Sequence, residues 1–140
     1  MADTQKPFDI KKRCYQFSLA LTDFVKVTEY ERIHFSIFGQ LIRCGTSIGA
    51  NIVEGASGST KKDLINYYHI ALKSANETKY WLCLIRDGLI CDKDKTISLI
   101  QEADEISKII AASLIKMKKT TGVSHFLNSV FIFYFFCLIN

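Results

Sequence analysis

Four polar side chains have the residue types that acid–base chemistry uses: Asn51, Glu54, Ser74 and Glu77. Asn51 and Glu54 are three positions apart in one helical pattern, and Ser74 and Glu77 repeat that spacing in the next. Two carboxylates on facing helices can act as a general acid and a general base. They can also fix helix register or a subunit contact, because a buried carboxylate must find hydrogen-bond donors. We expect the structural role, and no catalytic residue is predicted.

The histidines and cysteines do not form a metal-binding pattern. His34, His69 and His125 have no histidine partner four positions away, and the chain lacks the two Glu-x-x-His motifs that a di-iron bundle needs. The five cysteines include no C-x-x-C pair, so we expect thiols, four of which pack as small core or boundary hydrophobic side chains. No metal and no cofactor are predicted.

The stretch from Gly55 to Lys62 combines glycines, hydroxyl groups and lysines before a helix. Its residue order is not the G-x-x-x-x-G-K-[ST] order of a phosphate-binding loop. Backbone amides at the helix start can still face a phosphate. Thr60 and Asp63 have the spacing of a capping box, which predicts that a helix begins there.

Composition favours a single helical domain. The chain has 140 residues, enough for one domain, and its only proline is Pro7. With 18 Lys and Arg against 14 Asp and Glu, the net charge of +4 is mildly basic. The first residues lack the basic and apolar regions of a secretory signal, so a cytoplasmic location is expected.

Apolar residues recur at helical spacing in four segments. We expect helices over residues 8–28, 32–56, 60–88 and 95–119, with small residues on one face of the second. The predicted face of the second helix is Phe35, Phe38, Ile42, Gly45, Gly49, Ile52 and Ala56, and its glycines let a neighbouring backbone approach closely. The corresponding stripes of the other helices are Ile10, Cys14, Phe17, Leu21, Phe24 and Thr28; Leu64, Tyr68, Ala71, Ala75, Thr78, Leu82, Ile85 and Leu89; and Ile100, Ala103, Ser107, Ile110, Leu114 and Met117. Helices of about 25 residues with short connections predict an all-α, up-down-up-down antiparallel four-helix bundle over residues 1–122.

Residues 123–140 form an apolar C-terminal tail and no independent domain. About ten consecutive apolar residues are too few for a membrane-spanning helix, so no span is expected. Docking on a partner subunit, an aggregation-prone strand and an altered reading frame all stay open as explanations of this tail.

The lysines are expected to gather at one end of the bundle. In this topology the first and third helices start where the second and fourth end, and we call that end the basic pole. A basic pole suits phosphate binding, because cations displace the counterions of a nucleic acid. The alternative is a lysine-rich surface exposed to solvent. Besides Lys6, the candidate nucleic-acid-binding residues are Lys11, Lys12, Arg13, Lys61, Lys62, Lys116, Lys118 and Lys119.

The order of these features resembles a bacterial four-helix-bundle family, the S23-like proteins encoded in intervening sequences of 23S ribosomal RNA genes. The resemblance spans about Phe8 to Lys119. It depends on Gln40-Leu-Ile-Arg43, Ser47-Ile-x-x-Asn51-Ile-x-Glu54-Gly55, Lys61-Lys62 and Ile70-Ala71-x-x-Ser74-x-x-Glu77. The apolar tail departs from the family pattern.

The resemblance implies an assembly and partners that the residues alone do not show. Members of this family form rings of five subunits. The related accessory variability determinant of diversity-generating retroelements binds nucleic acid and a reverse transcriptase. A homopentamer that contacts RNA or DNA, and a reverse transcriptase as a protein partner, are therefore expectations from resemblance.

We therefore predict a non-catalytic, oligomeric accessory factor for nucleic acid or a ribonucleoprotein. The alternative is a structural or protein-interaction module with no nucleic-acid role. Tyr67, Tyr80 and Trp81 are candidates for subunit contacts, because large aromatic side chains dominate many interfaces. Their packing within one chain is an equally open interpretation.

Overall fold

The computed structural model describes residues 9–119, which form four α-helices and one short 3-10 turn. Helix α1 is Ile10–Val27, α2 is Phe35–Ser57, α3 is Lys61–Gly88 and α4 is Lys93–Lys119. The 3-10 turn, Arg32–His34, leads directly into α2. These bounds confirm the predicted helices to within a few residues. The expectations for Lys6, Pro7, His125 and the tail of residues 123–140 lie outside the described residues.

Local capping fixes where the helices begin and end. The backbone N–H of Lys11 donates to Asp9 Oδ1 at the start of α1. At the start of α3, the backbone N–H of Asp63 donates to Thr60 Oγ1 at 3.1 Å, and the Thr60 hydroxyl donates to the Asp63 carboxylate. Thr60 is thus the N-cap that the sequence predicts. Gly58 ends α2, as expected from the glycines around it.

Neighbouring helices run antiparallel. Cys44 pairs with Thr78 and Ser47 with Ser74, so residue numbers rise along α2 as they fall along α3. Lys79 reaches Asp104 across the α3–α4 contact. The described residues therefore form the up-down-up-down four-helix bundle that the sequence predicts, with the starts of α1 and α3 and the ends of α2 and α4 on the same side.

The core confirms the apolar stripes predicted for α1, α3 and α4. Every side chain of this set is at most 6% exposed: Cys14, Phe17, Leu21 and Phe24 on α1, Ala71, Ala75, Thr78, Leu82 and Ile85 on α3, and Ala103, Ser107, Ile110 and Leu114 on α4. The structure adds Thr96, Leu99 and Ile106 to the α4 face.

The predicted face of α2 was partly wrong. Phe35 is 57% exposed and Ala56 is exposed, whereas Leu41, Cys44 and Ile48 are fully buried. The physical reason is that α2 packs against both α1 and α3, so it buries a band wider than a single heptad stripe.

The small residues of α2 act as expected, with one shift in position. A Cβ added at Gly49 would lie 3.2 Å from Cys14 Cβ on α1. At Gly45 it would meet the Leu21 side chain well inside contact distance. At the end of α2 the close contact is at Gly55, whose added Cβ would lie 2.9 Å from Tyr67 Cβ. Gly55 therefore takes the packing role that was expected of Ala56.

None of the helices within residues 9–119 has the length and apolar character needed to cross a membrane.

Candidate nucleic-acid interface

Ser47 on α2 is the centre of a polar network between α2 and α3. Asn51 Nδ2 donates to the Ser47 hydroxyl at 2.9 Å and to the Ser47 carbonyl oxygen at 2.7 Å. The Ser74 hydroxyl donates to the Ser47 hydroxyl at 3.2 Å. Two of the four predicted structural polar residues, Asn51 and Ser74, thus meet through Ser47, which is not among the predicted residues. The position of Ser47, one helical turn before Asn51, is the sequence feature that could have identified it as a partner of Asn51.

Glu77 belongs to a separate cluster. Arg43 Nη2 donates to Glu77 Oε1, and the Trp81 indole N–H donates to the same oxygen at 3.4 Å. Gln40 Oε1 accepts from Arg43 Nε at 2.8 Å. The cluster joins α2 to α3 near the surface, in agreement with a structural role for Glu77.

Glu54 stands apart from Glu77. Its side chain is exposed and makes no hydrogen bond or ion pair within residues 9–119. In the α2–α3 register, Glu54 is level with the region of Tyr67, ten residues before Glu77, which is about 15 Å along α3. Two carboxylates this far apart do not form an acid–base pair around one reacting atom.

The cysteines are packing groups. Cys14 and Cys44 are fully buried, and all four cysteines in the described range are free thiols. Burial raises the pKa of Cys14 to about 11, so the nucleophilic thiolate is scarce at neutral pH. Within residues 9–119 no group of three or more His, Cys, Asp or Glu side chains is placed to hold a metal ion.

Most of the candidate lysines lie in the basic pole with exposed side chains. Lys61 and Lys62 are in the first turn of α3, and Lys119 is in the last turn of α4. Lys11 and Lys12 lie in the first turn of α1. Along the bundle axis they are about two helical turns further from the tip of this end than Lys61. The basic pole is therefore a band around the end of the bundle. These five side chains form no ion pair with the described part of the chain.

Lys116 and Lys118 also belong to the last turn of α4. Lys116 is exposed and Lys118 is half-buried. Lys118 acts electrostatically on His69 of α3, so the end of α4 lies beside the third turn of α3. Lys118 is one of the cations predicted for this pole, whereas its interaction with His69 is visible only in the folded chain.

Arg13 differs from the other candidates. Its Nε and Nη2 atoms donate to the two carboxylate oxygens of Glu102 on α4, at 2.6 and 2.8 Å. The hydrogen bond to Glu102 raises the pKa of Arg13 above its ordinary value. A bidentate pair of this kind uses the fork of the guanidinium group that would otherwise bind a phosphate. The main role of the Arg13 side chain is therefore to join α1 to α4, and phosphate binding is secondary.

Comparison with known proteins identifies the family. Residues 6–112 match the family model of the 23S rRNA-intervening sequence protein. No curated protein matches the chain. Among solved structures, a protein of unknown function from the S23 ribosomal protein family of Bacteroides thetaiotaomicron VPI-5482 is 36% identical, with a TM-score of 0.68, over 76% of this chain and 98% of that one. This four-helix bundle belongs to the 23S rRNA-intervening sequence protein family.

Proposed function

We propose that this protein is a non-catalytic accessory factor that binds nucleic acid, in the first place RNA, through its basic pole. The observation that carries the proposal is the concentration of cations at one end of the bundle. The family to which this chain belongs has no assigned enzyme activity, and the similar solved structure is a protein of unknown function.

Charge is distributed unequally between the two ends. Outside the Arg13–Glu102 pair, the carboxylates around the described basic pole are Asp9, Glu54, Asp63 and Glu105, of which Glu105 acts on Arg13 and also pairs with Lys108. Besides Lys108, the cations there are Lys11, Lys12, Lys61, Lys62, Lys116, Lys118 and Lys119. At the opposite end, Asp23, Glu29, Glu31, Asp87, Asp92 and Asp94 balance Lys26, Arg32, Arg86, Lys93 and Lys95. A phosphate backbone is attracted to the first end and not to the second.

Lys61 and Lys62 are the most informative lysines. They lie in the first turn of α3, where the helix dipole disfavours cations by about 0.3 to 1 kcal/mol. They also make no ion pair within residues 9–119. Two adjacent lysines in a position that costs stability support a role in contact with an anionic partner.

The experiment is RNA binding by wild type and by a Lys61→Glu, Lys62→Glu variant, measured as fluorescence anisotropy over a salt series. We expect at least a tenfold loss of affinity and a shallower dependence of log K on log salt in the variant. Duplex DNA measured in parallel shows which nucleic acid is preferred.

A matched control is the Lys93→Glu, Lys95→Glu variant. These two lysines are also exposed and also lie in the first turn of a helix, but at the opposite end. Glutamate in a first turn favours the helix dipole, so neither variant should unfold. Equal RNA affinities for wild type and the Lys61/Lys62 variant would show that the basic pole is not the binding site. If wild type bound no nucleic acid, the proposed function itself would be refuted.

Self-association is the second part of the proposal. We expect a homopentamer, as the family resemblance implies, and exposed apolar side chains on the second half of α3 support an interface. Tyr80 is 50% exposed and Leu84 is 38% exposed, beside the half-buried Trp81. The rings of Tyr80 and Trp81 are in edge-to-face contact, with centroids 5.1 Å apart.

Light scattering at micromolar concentration tests the assembly. We expect a single oligomeric species in wild type and dissociation in a Tyr80→Glu, Leu84→Glu variant. A monodisperse wild-type monomer would contradict the assembly. An oligomer that does not bind nucleic acid would instead favour the second candidate function, a protein-interaction module.

A further inference from the structure

The outer side of the contact between α1 and α2 carries large apolar side chains. On α1, Arg13 faces α4 and Cys14 faces Gly49 of α2. Tyr15, one position further round the helix, therefore lies on the outer side of this contact. Tyr15 is 65% exposed, and Leu19, one turn later, is 48% exposed. Two large side chains of α1 thus border the contact in solvent.

Helix α2 continues this surface. Ser47 faces α3 and Gly49 faces α1, so Ala50 lies on the outer side. Ala50 is exposed, and Val53, one turn later, is 50% exposed. Two half-buried side chains of α2 complete the surface. We call it the α1–α2 face, and it consists of Tyr15, Leu19, Ile42, Thr46, Ala50 and Val53.

The side of α2 that belongs to this face has no charge. Arg43 and Glu54 are the only charged residues in α2. Arg43 turns to Glu77 on α3, and Glu54 follows Asn51, one turn later, on the α3 side. The outer face of a surface helix usually carries charged residues, because it lies in water. An exposed apolar face without charge is typical of a surface that another segment covers.

Hydroxyl groups beside the face are satisfied within their own helices. Each of Ser18, Thr22 and Thr46 donates to the backbone carbonyl oxygen four residues earlier, and the three distances are 2.9, 2.9 and 2.8 Å. The protons of these hydroxyl groups are therefore used inside the helix. The face consequently presents mostly carbon atoms to its surroundings.

The C-terminal segment has the matching chemistry. Residues 126–140 contain six aromatic residues and no charged residue. Such a segment gains free energy when its side chains leave water. A charged surface would lose its hydration where this segment covered it, whereas the uncharged α1–α2 face has little hydration to lose.

The segment also starts in the right place. Helix α4 ends at Lys119, on the same side of the bundle as Ser57, where α2 ends. The six residues 120–125 can span up to about 20 Å, whereas the diagonal between helices packed about 8 to 10 Å apart is at most about 14 Å. Fifteen residues span about 22 Å even as a helix, and the distance along α2 between Val53 and Ile42 is about 17 Å. Residues 126–140 are thus long enough to cover the face.

We propose that residues 126–140 dock on the α1–α2 face of their own chain. The contact is apolar, and it covers the side of α2 on which no described helix packs. The face is separate from the basic pole and from the exposed side chains of Tyr80 and Leu84 on α3. The docking therefore depends neither on nucleic-acid binding nor on self-association.

The first test locates the segment by photocrosslinking in the full chain. The photoreactive residue p-benzoylphenylalanine replaces Ala50, which is exposed. After irradiation we expect a link from position 50 to residues 126–140, identified by mass spectrometry of the digested product. On a denaturing gel this product should keep the mass of one chain. The same photoreactive residue in place of Gln101, which is exposed on α4, is the control and should not reach the segment.

The second test is protection from chymotrypsin, which cleaves after aromatic residues. An Ala50→Glu, Val53→Glu variant places charges under the segment. Cleavage within residues 126–140 should become about tenfold faster, since proteolysis follows the population of the undocked form. The Ile97→Glu, Ile115→Glu variant replaces apolar side chains on α4 that are 40% and 52% exposed, and it should keep the wild-type rate. Thermal melting by circular dichroism verifies that both variants are folded.

Three results would overturn this inference. A link to residues 126–140 in a product with the mass of two chains would show that the segment docks on a second copy instead. The absence of any link from position 50 to residues 126–140 would show that the segment lies elsewhere. Equal cleavage rates for wild type and the Ala50/Val53 variant would show that the α1–α2 face does not protect it. RNA binding through Lys61 and Lys62 stands or fails independently of all three.

Discussion

Arg13 on α1 and Glu102 on α4 form a bidentate ion pair with N–O distances of 2.6 and 2.8 Å. The pair joins the first and last helices of the bundle, which are separated in the chain by α2 and α3. It also neutralises one of the cations that the sequence assigns to the basic pole. Its two side chains are 29% and 36% exposed, so solvent screens their attraction in part.

Loss of this ion pair should reduce stability only modestly. We expect a Glu102→Gln variant to lose about 1 kcal/mol of unfolding free energy, because the pair is partly exposed. Its affinity for nucleic acid should not fall, because the substitution removes a negative charge from beside the basic pole. Urea unfolding and RNA binding measure the two effects. Glu29→Gln, an exposed carboxylate without an ion pair in the described range, is the control. A loss of RNA affinity in the Glu102 variant would contradict this assignment of Arg13.

Two glycines of α2 should respond to alanine in opposite directions. At Gly55, the added Cβ lies 2.9 Å from Tyr67 Cβ, an atom that moves only if α3 moves, so Gly55→Ala should destabilise the bundle by about 1 to 3 kcal/mol. At Gly39 nothing lies within 4 Å, so Gly39→Ala should stabilise it by up to about 1 kcal/mol. Thermal unfolding compares them, and a stabilising Gly55→Ala would disprove the tight α2–α3 contact.

The start of α3 should depend on one hydroxyl group. Thr60 accepts the backbone N–H of Asp63, so Thr60→Ala should cost about 1 kcal/mol of stability. The neighbouring Ser59 is exposed and caps no helix, which makes Ser59→Ala the matched control. Equal midpoints of urea unfolding for the two variants would show that the cap does not stabilise α3.

The Asp104 carboxylate should make stability depend on acid pH. Burial would raise the pKa of Asp104, but hydrogen bonds from Lys108 and Lys79 outweigh it and lower the pKa below its ordinary value. The stability that the ionised Asp104 carboxylate adds to the folded state is therefore fully present above the unfolded-state pKa of about 3.9. It is lost as the pH falls through the folded-state pKa.

Asp104→Asn should remove that acid-dependent part. At pH 7 the variant should be less stable by about 1 to 3 kcal/mol, because Lys79, whose side chain is 14% exposed, loses its carboxylate partner. Urea unfolding between about pH 3 and pH 7 measures the effect. A variant with the wild-type pH dependence in this range would show that another carboxylate is responsible.

Most of the secondary structure could be predicted because its determinants are local. The stripe from Cys14 to Phe24 follows the helical period, and Thr60 with Asp63 satisfies the first amides of α3 within four residues. Gly58 ends α2 in the same local way. None of these features needs a distant partner.

The candidate site could be predicted only in part. Lys61 and Lys62 follow from their position at a helix start in a known topology. The central place of Ser47 in the polar network does not follow from the sequence, since its second partner, Ser74, lies 27 residues away on α3. His69 is a lone histidine in the sequence, because Lys118, which acts on it, is on another helix.

The sequence by itself determined the helices, their caps, most of the buried stripes and the family, since periodicity and short-range hydrogen bonding specify these. Only the tertiary structure decided that Arg13 pairs with Glu102, that α2 buries a band wider than one stripe, and that Lys118 of α4 acts on His69 of α3. The physical reason is that charge pairing and close packing depend on the rotation and axial offset of neighbouring helices, and these quantities arise only when all four helices pack together.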